Sequence, residues 1–271
     1  MNLVNGVESE AVSVQDRGLA YGDGVFRTLP VRGGRPLLWR QQYAKLAADC
    51  GSLRITCPAA AVFERDLAAI SMRIPDCVVR IIVTRGSAAR GYAIPAAAEP
   101  TRIVSASPLA QYPRDYYESG VRVHLCRIRL ALQPALAGIK HLNRLENVLA
   151  RSEWDDSGIA EGVMCDVEDN VISGTMTNLF LVRGDTLVTP DLARCGVAGV
   201  TRELVLELAR SNKIRTRIAS FSLDDLLGAE ELFLVNSVIG VWQITGLGRK
   251  SWNVGPLSAQ VRRWLDDVQD A

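Results

Sequence analysis

The stretch Gly138-Ile139-Lys140-His141-Leu142-Asn143-Arg144-Leu145-Glu146-Asn147 lies near the middle of the chain and decides how the rest is read. Lys140 follows an apolar approach, Leu136-Ala137-Gly138-Ile139, and precedes Leu142, Leu145, Val148 and Leu149, which recur at helical spacing. The pattern predicts a helix from about Asn143 to Trp154, with those residues on one stripe and the lysine turned inward. A lysine in a partly desolvated cleft loses proton affinity, and its neutral amine can attack a carbonyl to form a Schiff base. Read locally, the same pattern also fits a surface lysine at a helix entrance, where charged side chains ordinarily lie.

Working outward, two glycine-rich stretches frame this lysine. Asp16-Arg17-Gly18 to Gly24 runs into the alternating strand Val25 to Arg32, and no Gly-Lys-Ser/Thr follows it, so it is not a phosphate-cradling P-loop. Gly196-Val197-Ala198-Gly199-Val200-Thr201-Arg202-Glu203 empties into a helix expected over Leu204 to Asn212. A glycine loop at a helix start offers free backbone N–H groups and the positive end of the helix dipole, which suits a phosphate. Asn236-Ser237, at the end of a strand over Glu231 to Val235, adds amide and hydroxyl donors. In the arm Val171 to Val182, Ser173, Thr175 and Thr177 alternate and so share a face, as the floor of a small-molecule site requires.

Six motifs carry a resemblance. Asp16 to Phe26, Val83-Thr84-Arg85-Gly86, Arg90-Gly91-Tyr92, Lys140-His141-Leu142-Asn143-Arg144, Gly174-Thr175-Met176-Thr177-Asn178-Leu179-Phe180 and Gly196 to Arg202 stand in the order of the fold-type IV pyridoxal-phosphate (PLP) enzymes. The chain resembles that family, which contains aminodeoxychorismate lyases, D-amino-acid transaminases and branched-chain transaminases, and is most similar to the lyase branch. The resemblance implies an α+β fold in two domains: a small N-terminal domain over 1–112, a linker over 113–119, and a larger barrel-like C-terminal domain over 120–271 carrying the lysine. PLP would lie between them, in a homodimer. Lys140 would hold PLP and move the proton at the amine-bearing carbon. Lys45, Ser173, Asn178, Val200, Thr201, Asn236 and Ser237 would bind the cofactor, and Arg90, Tyr92 and Thr28 the substrate. The lyase reaction expels an enolpyruvyl ether as pyruvate and leaves 4-aminobenzoate, a folate precursor. A transaminase acting on D- or branched-chain amino acids, a relative that has lost its chemistry, and a nucleotide-binding protein are the other readings.

The sequence departs from the family pattern at several positions. Ser173 stands where the family usually has a glutamate that keeps the pyridine nitrogen protonated; a hydroxyl there leaves that nitrogen largely neutral, unless Asp166 or Glu168 approaches in its place. Lys45 stands for an arginine on the phosphate and gives up the planar fork. Arg27 stands for a glutamate usual in transaminases, which leans toward the lyase, and Gln42 replaces a frequent histidine.

The remaining features set bounds. With 48% hydrophobic residues in 271, a substantial core is available. A formal net charge of +1 recommends neither nucleic acid nor an anionic membrane as partner. No apolar run is long enough to span a bilayer and no leader pattern opens the chain, so a cytoplasmic protein is expected. The six cysteines form no Cys-x-x-Cys pair and read as buried free thiols. Two histidines, His124 and His141, are too few and scattered for a His-based metal site. The first 14 residues read as a hairpin, Leu3-Val4 turning at Asn5-Gly6 into Ala11 to Val14. The segment Arg85 to Ala98 is too long for a mere connector and is expected at the mouth of a site.

Overall fold

Alternation in the strands and period 3.6 in the helices divide the chain into two α+β units in the computed structural model, which describes residues 1–270, with side chains through residue 268. The first unit holds residues 1–111 and 139–143. Asn5 and Gly6, both at positive φ, turn β1 (Asn2–Val4) into β2 (Val7–Glu8). The hairpin ends there. Residues 11–14, expected as its second arm, form no strand; serine hydroxyls at Ser9 and Ser13 bond nearby backbone N–H groups instead. The glycine-rich stretch contains a single helical turn, α1 (Arg17–Tyr21), capped by Asp16 and closed by Gly22 in the left-handed region.

There follow β3 (Gly24–Arg32), β4 (Arg35–Pro36), helices α2 (Trp39–Ser52) and α3 (Ala60–Arg73), and strands β5 (Cys77–Thr84) and β6 (Thr101–Pro108). They make an antiparallel sheet in the order β2-β1-β6-β5-β3-β4. One face, with Val25, Leu29, Val31, Val79, Ile81 and Val83, is sealed by Leu46, Phe63, Leu67 and Ile70 of the two helices. Strand alternation therefore turns Phe26, Thr28, Arg80 and Ile82 to the opposite face, where 26 pairs with 82 and 28 with 80. Residues 139–143 belong to this unit, not to the sequence around them. Ile139 is buried in its core, His141 bridges Val25, the Phe26 N–H bonds Lys140 O at 2.9 Å, and the Leu142 N–H bonds Gly24 O at 2.9 Å.

The second unit holds residues 112–138 and those from 144 onward. Its elements are α4 (Asp115–Glu118), β7 (Val121–Leu130), α5 (Leu145–Arg151), β8 (Ile159–Asp166), β9 (Val171–Gly174), β10 (Asn178–Arg183), β11 (Thr186–Pro190), α6 (Val200–Ser211), β12 (Arg215–Ala219), α7 (Leu223–Leu227), β13 (Glu231–Asn236), β14 (Gly240–Leu247), β15 (Lys250–Ser251) and α8 (Pro256–Asp270). The sheet runs β12-β11-β10-β13-β14-β7-β8-β9, with β15 beside β14, and β9 also packs on β10 and β11, which curls it. Trp242 lies at the centre of its core, edge-on to Tyr112 and Tyr116. Among the described residues no helix is long and apolar enough to cross a membrane. All six cysteines are free, five buried and Cys57 partly exposed.

Helix α5 corrects one expectation. It is only seven residues long, and it buries Ala150, while Leu145, Val148 and Leu149 are 75%, 60% and 53% exposed. The apolar stripe is real but faces away from the unit's own core.

A buried carboxylate fixes the neighbouring bulge. Between Leu125 and Arg129 the pairing of β7 with β8 slips, and Glu153 accepts the freed N–H groups of Arg127 (2.7 Å) and Ile128 (2.8 Å) as well as a bond to His124 Nε2. Burial pushes the Glu153 carboxyl up, but the two N–H bonds and His124 outweigh it and bring its pKa down to about 2. A carboxylate that ionises more readily folded than unfolded stabilises above its unfolded pKa, and that contribution is lost as pH falls through the folded value. Glu153→Gln is therefore expected to cost about 1–3 kcal/mol at neutral pH, the difference closing as pH falls from about 5 toward about 2. Urea titrations of both proteins across that range check it; a pH-independent difference would contradict the assignment.

Candidate functional site

Lys140 is half-buried, its backbone held on two sides. Its carbonyl accepts from Phe26, its N–H donates to Asp49 Oδ2 at 3.2 Å, and its ammonium lies 4.5 Å from the centre of the Phe26 ring. Arg80, one pair along the same sheet face, stacks its guanidinium on that ring at 4.7 Å. Arg80 did not stand out in the sequence, since an arginine in an alternating strand reads as an exposed solubiliser; its register against Thr28 is the signal that places it on the lysine's face.

Asp49 was also missed. It is 1% exposed and receives Arg27, itself 2% exposed, together with Lys45 one helical turn earlier. Lys45, expected on a phosphate, thus has its ammonium drawn to Asp49. Burial of Arg27 pushes its pKa down, against the opposing pull of Asp49.

The loop after β5 is tied at its root. Burial pushes the Asp23 carboxyl up, but hydrogen bonds from Arg85 and Arg17 outweigh this and hold it below the usual range. Arg17 also donates to Gly91 O at 2.7 Å, and the Gly91 N–H donates to Tyr21 Oη. Arg90 and Tyr92 flank this anchored glycine and point into solvent, Tyr92 against the Tyr21 ring. Thr28 is half-buried on the Phe26 face.

The second unit holds Asn178, Val200, Thr201, Asn236 and Ser237 of the expected cofactor-binding residues. Helix α6 starts at Val200 with Gly199 as its cap and no side-chain hydrogen bond at that cap, while Glu203 stands in its first turn. A methyl group on Gly199 would stand 2.3 Å from Asn178 Oδ1, which accepts the Gly199 N–H, while Asn178 Nδ2 donates to Val197 O. Glycine at 199 and asparagine at 178 therefore form a matched pair that shapes the loop. Thr201 Oγ1 lies 3.1 Å from Ser237 Oγ. Asn236 braces its own turn by accepting from the N–H groups of Val238 and Ile239, and reaches Met176 O. On the other side of the loop, Gly138 pairs with it: Gly138 N–H to Gly196 O, Ala198 N–H to Gly138 O. Lys140 is two residues further along the chain.

The expected alternating face breaks at Gly174. β9 ends there, and Thr175 and Thr177 turn to Glu161 instead of a shared open face. Glu161 is 1% exposed; its oxygens accept the hydroxyls of both threonines and the N–H groups of Gly162, Thr175 and Met176. Ser173 remains on β9, buried and paired with Met164. Neither carboxylate expected as its substitute is available. Asp166 is spent on the turn to Asn170, and Glu168 is exposed, where the hydrogen bond from Arg194 holds its pKa down.

The amino-transferase class IV family model matches residues 24–247. Among solved structures, 4-amino-4-deoxychorismate lyase from Pseudomonas aeruginosa is 47% identical over the full length of both chains, with a TM-score of 0.96. Aminodeoxychorismate lyase of Vibrio harveyi is 34% identical over 247 residues, 91% of each protein. D-alanine aminotransferase of Listeria monocytogenes is 25% identical over 267 residues, 95% of this chain and 91% of that protein.

Glu161→Gln would set an amide among groups that all donate. We expect a loss of about 1–3 kcal/mol and faster hydrogen exchange at the Thr175 and Met176 amides; unchanged exchange there would show that Glu161 does not hold the turn.

Proposed function

Because the chain belongs to the amino-transferase class IV family, we propose that it is a PLP-dependent aminodeoxychorismate lyase, converting 4-amino-4-deoxychorismate to 4-aminobenzoate and pyruvate in folate biosynthesis. The observation that carries this reading is Lys140, half-buried and fixed by Asp49 and Phe26. Full-length 47% identity to the Pseudomonas lyase favours the lyase over a transaminase.

The residues present fit PLP. A helix start capped by glycine, with the Thr201 and Ser237 hydroxyls 3.1 Å apart, offers backbone N–H and hydroxyl donors that suit a phosphate dianion. The N–H groups of Val200 and Thr201 and those two hydroxyls would hold the phosphate, with Asn178 and Asn236 fixing the segments that carry them. Ser173 would offer a hydroxyl to the ring nitrogen. When bound, PLP supplies an electron sink for the carbon bearing the substrate amine.

Lys140 would hold the cofactor, and its amine would take the proton from that carbon. Loss of the proton and breaking of the neighbouring C–O bond would aromatise the substrate ring, and the enolpyruvate that leaves would take up a proton at its methylene carbon to become pyruvate. Arg80 and Arg90, with Tyr92 and Thr28, would hold the two substrate carboxylates; a planar guanidinium takes a carboxylate through two parallel bonds. With Ser173 in place of a carboxylate, the cofactor would draw electrons from the substrate less strongly, which would favour elimination over transamination.

We further propose a homodimer in the cytoplasm. Leu145, Val148 and Leu149 form an exposed apolar stripe suited to a second copy of the chain, and six unpaired cysteines fit a reducing compartment.

Borohydride reduction of the protein with PLP should label the Lys140 peptide, and Lys140→Ala should lose the label and lower 4-aminobenzoate formation roughly a thousandfold or more. Labelling elsewhere, or turnover of D-alanine without 4-aminobenzoate release, would overturn the assignment. Sedimentation should find a dimer, and Val148→Asp should shift it to monomer; a monomeric wild type would contradict the dimer.

A further inference from the structure

The lysine's backbone is held by a charged group that the proposed chemistry does not use. Asp49 is almost fully buried in α2, and a bare carboxylate at that depth is costly unless cations and N–H donors surround it. Three donors meet it: the Arg27 guanidinium from β3, the Lys45 ammonium from the preceding turn of its own helix, and the Lys140 peptide N–H at 3.2 Å. Arg27 and Lys45 are two of the positions where this sequence departs from the family pattern, and both converge on this one carboxylate.

The segment 139–142 lies along the edge of β3, giving the Leu142 N–H to Gly24 O and taking the Phe26 N–H on Lys140 O. Strand alternation buries Arg27 toward α2 while Phe26 faces the other way, beneath the Lys140 ammonium. Asp49 thus reaches the Lys140 backbone from the core side while the side chain projects on the opposite face. With the peptide before Lys140 held at its N–H and the one after it held at its C=O, the residue has little freedom to rotate, and the direction of its Cα–Cβ bond is set.

We infer that Asp49, charge-balanced by Arg27 and Lys45, is a positioning residue that aims the Lys140 amine by holding its backbone N–H. This rests on the reading of Lys140 as the attachment point for PLP. On this account Lys45 acts through Asp49, and Arg27 and Lys45 set two cations against that carboxylate in the core. Removing Asp49 alone would leave Arg27 buried without its counter-ion, and that variant would fold poorly for reasons unrelated to aim.

Two double variants separate the roles. Arg27→Met with Asp49→Leu removes charge and acceptor together and keeps the volume apolar; Arg27→Met with Asp49→Asn removes the charges but leaves a side-chain oxygen for the Lys140 N–H. Both are first checked for a wild-type circular dichroism spectrum and melting temperature. Hydrogen exchange at the Lys140 amide is then measured without cofactor, and the rate of borohydride-trappable labelling of Lys140 with added PLP. We expect exchange to accelerate and labelling to slow about tenfold or more in the leucine variant, as a displaced nucleophile requires, and both to return to within about threefold of wild type in the asparagine variant. Wild-type exchange and labelling in a folded leucine variant would overturn the inference. Should wild type itself take no label, the PLP reading fails, and the exchange data alone decide whether Asp49 holds the segment.

Discussion

The two peptide groups that flank the Lys140 Cα are each held by a partner, and the rest of the first unit supports that arrangement. The Lys140 carbonyl is claimed by a strand and its N–H by a buried carboxylate. Neither partner is incidental. Phe26 is held in register by eight pairs between β3 and β5, and Asp49 is held by a helix whose Leu46 and Cys50 are sealed in the core. Packing density thereby becomes precision in the direction of one flexible side chain, whose four-carbon stem would otherwise sample many rotamers.

The second unit achieves its precision by the same means. Asn178 at the start of β10 uses both ends of its amide on the glycine loop before α6, and Glu161 uses both oxygens on the turn leading to Asn178. These are buried polar groups with their bonding capacity spent on backbone, which specifies one loop conformation where an apolar side chain would only fill space. Gly138 ties that loop to the chain two residues before the lysine. The loop's glycines at 196 and 199 are required sterically: one has positive φ, and the other faces Asn178 at a distance that no Cβ tolerates.

Much of this was legible in the sequence, for physical reasons that differ by element. Helix α6 follows from period and composition, because one of its faces is buried against its own unit. The glycine loop and Thr201 were legible because a helix start has a fixed chemistry. What escaped was long-range. Nothing local to Asp49 says that an arginine 22 residues earlier and a peptide N–H 91 residues later converge on it. Glu161 lies in an ordinary strand sequence, and the threonines that bond it follow a break at Gly174 that the alternation of Ser173, Thr175 and Thr177 conceals. The stripe on α5 was legible as apolar, but period alone does not say whether such a stripe meets the same chain or another.

The proposed function rests on one amine, that of Lys140, and one helix start, that of α6. The most direct measurement is a crystal structure of the protein grown with PLP. The account predicts density continuous from Lys140 Nζ to the cofactor, with the phosphate against the N–H groups of Val200 and Thr201. Cofactor density detached from Lys140, or a phosphate lying elsewhere, would contradict it.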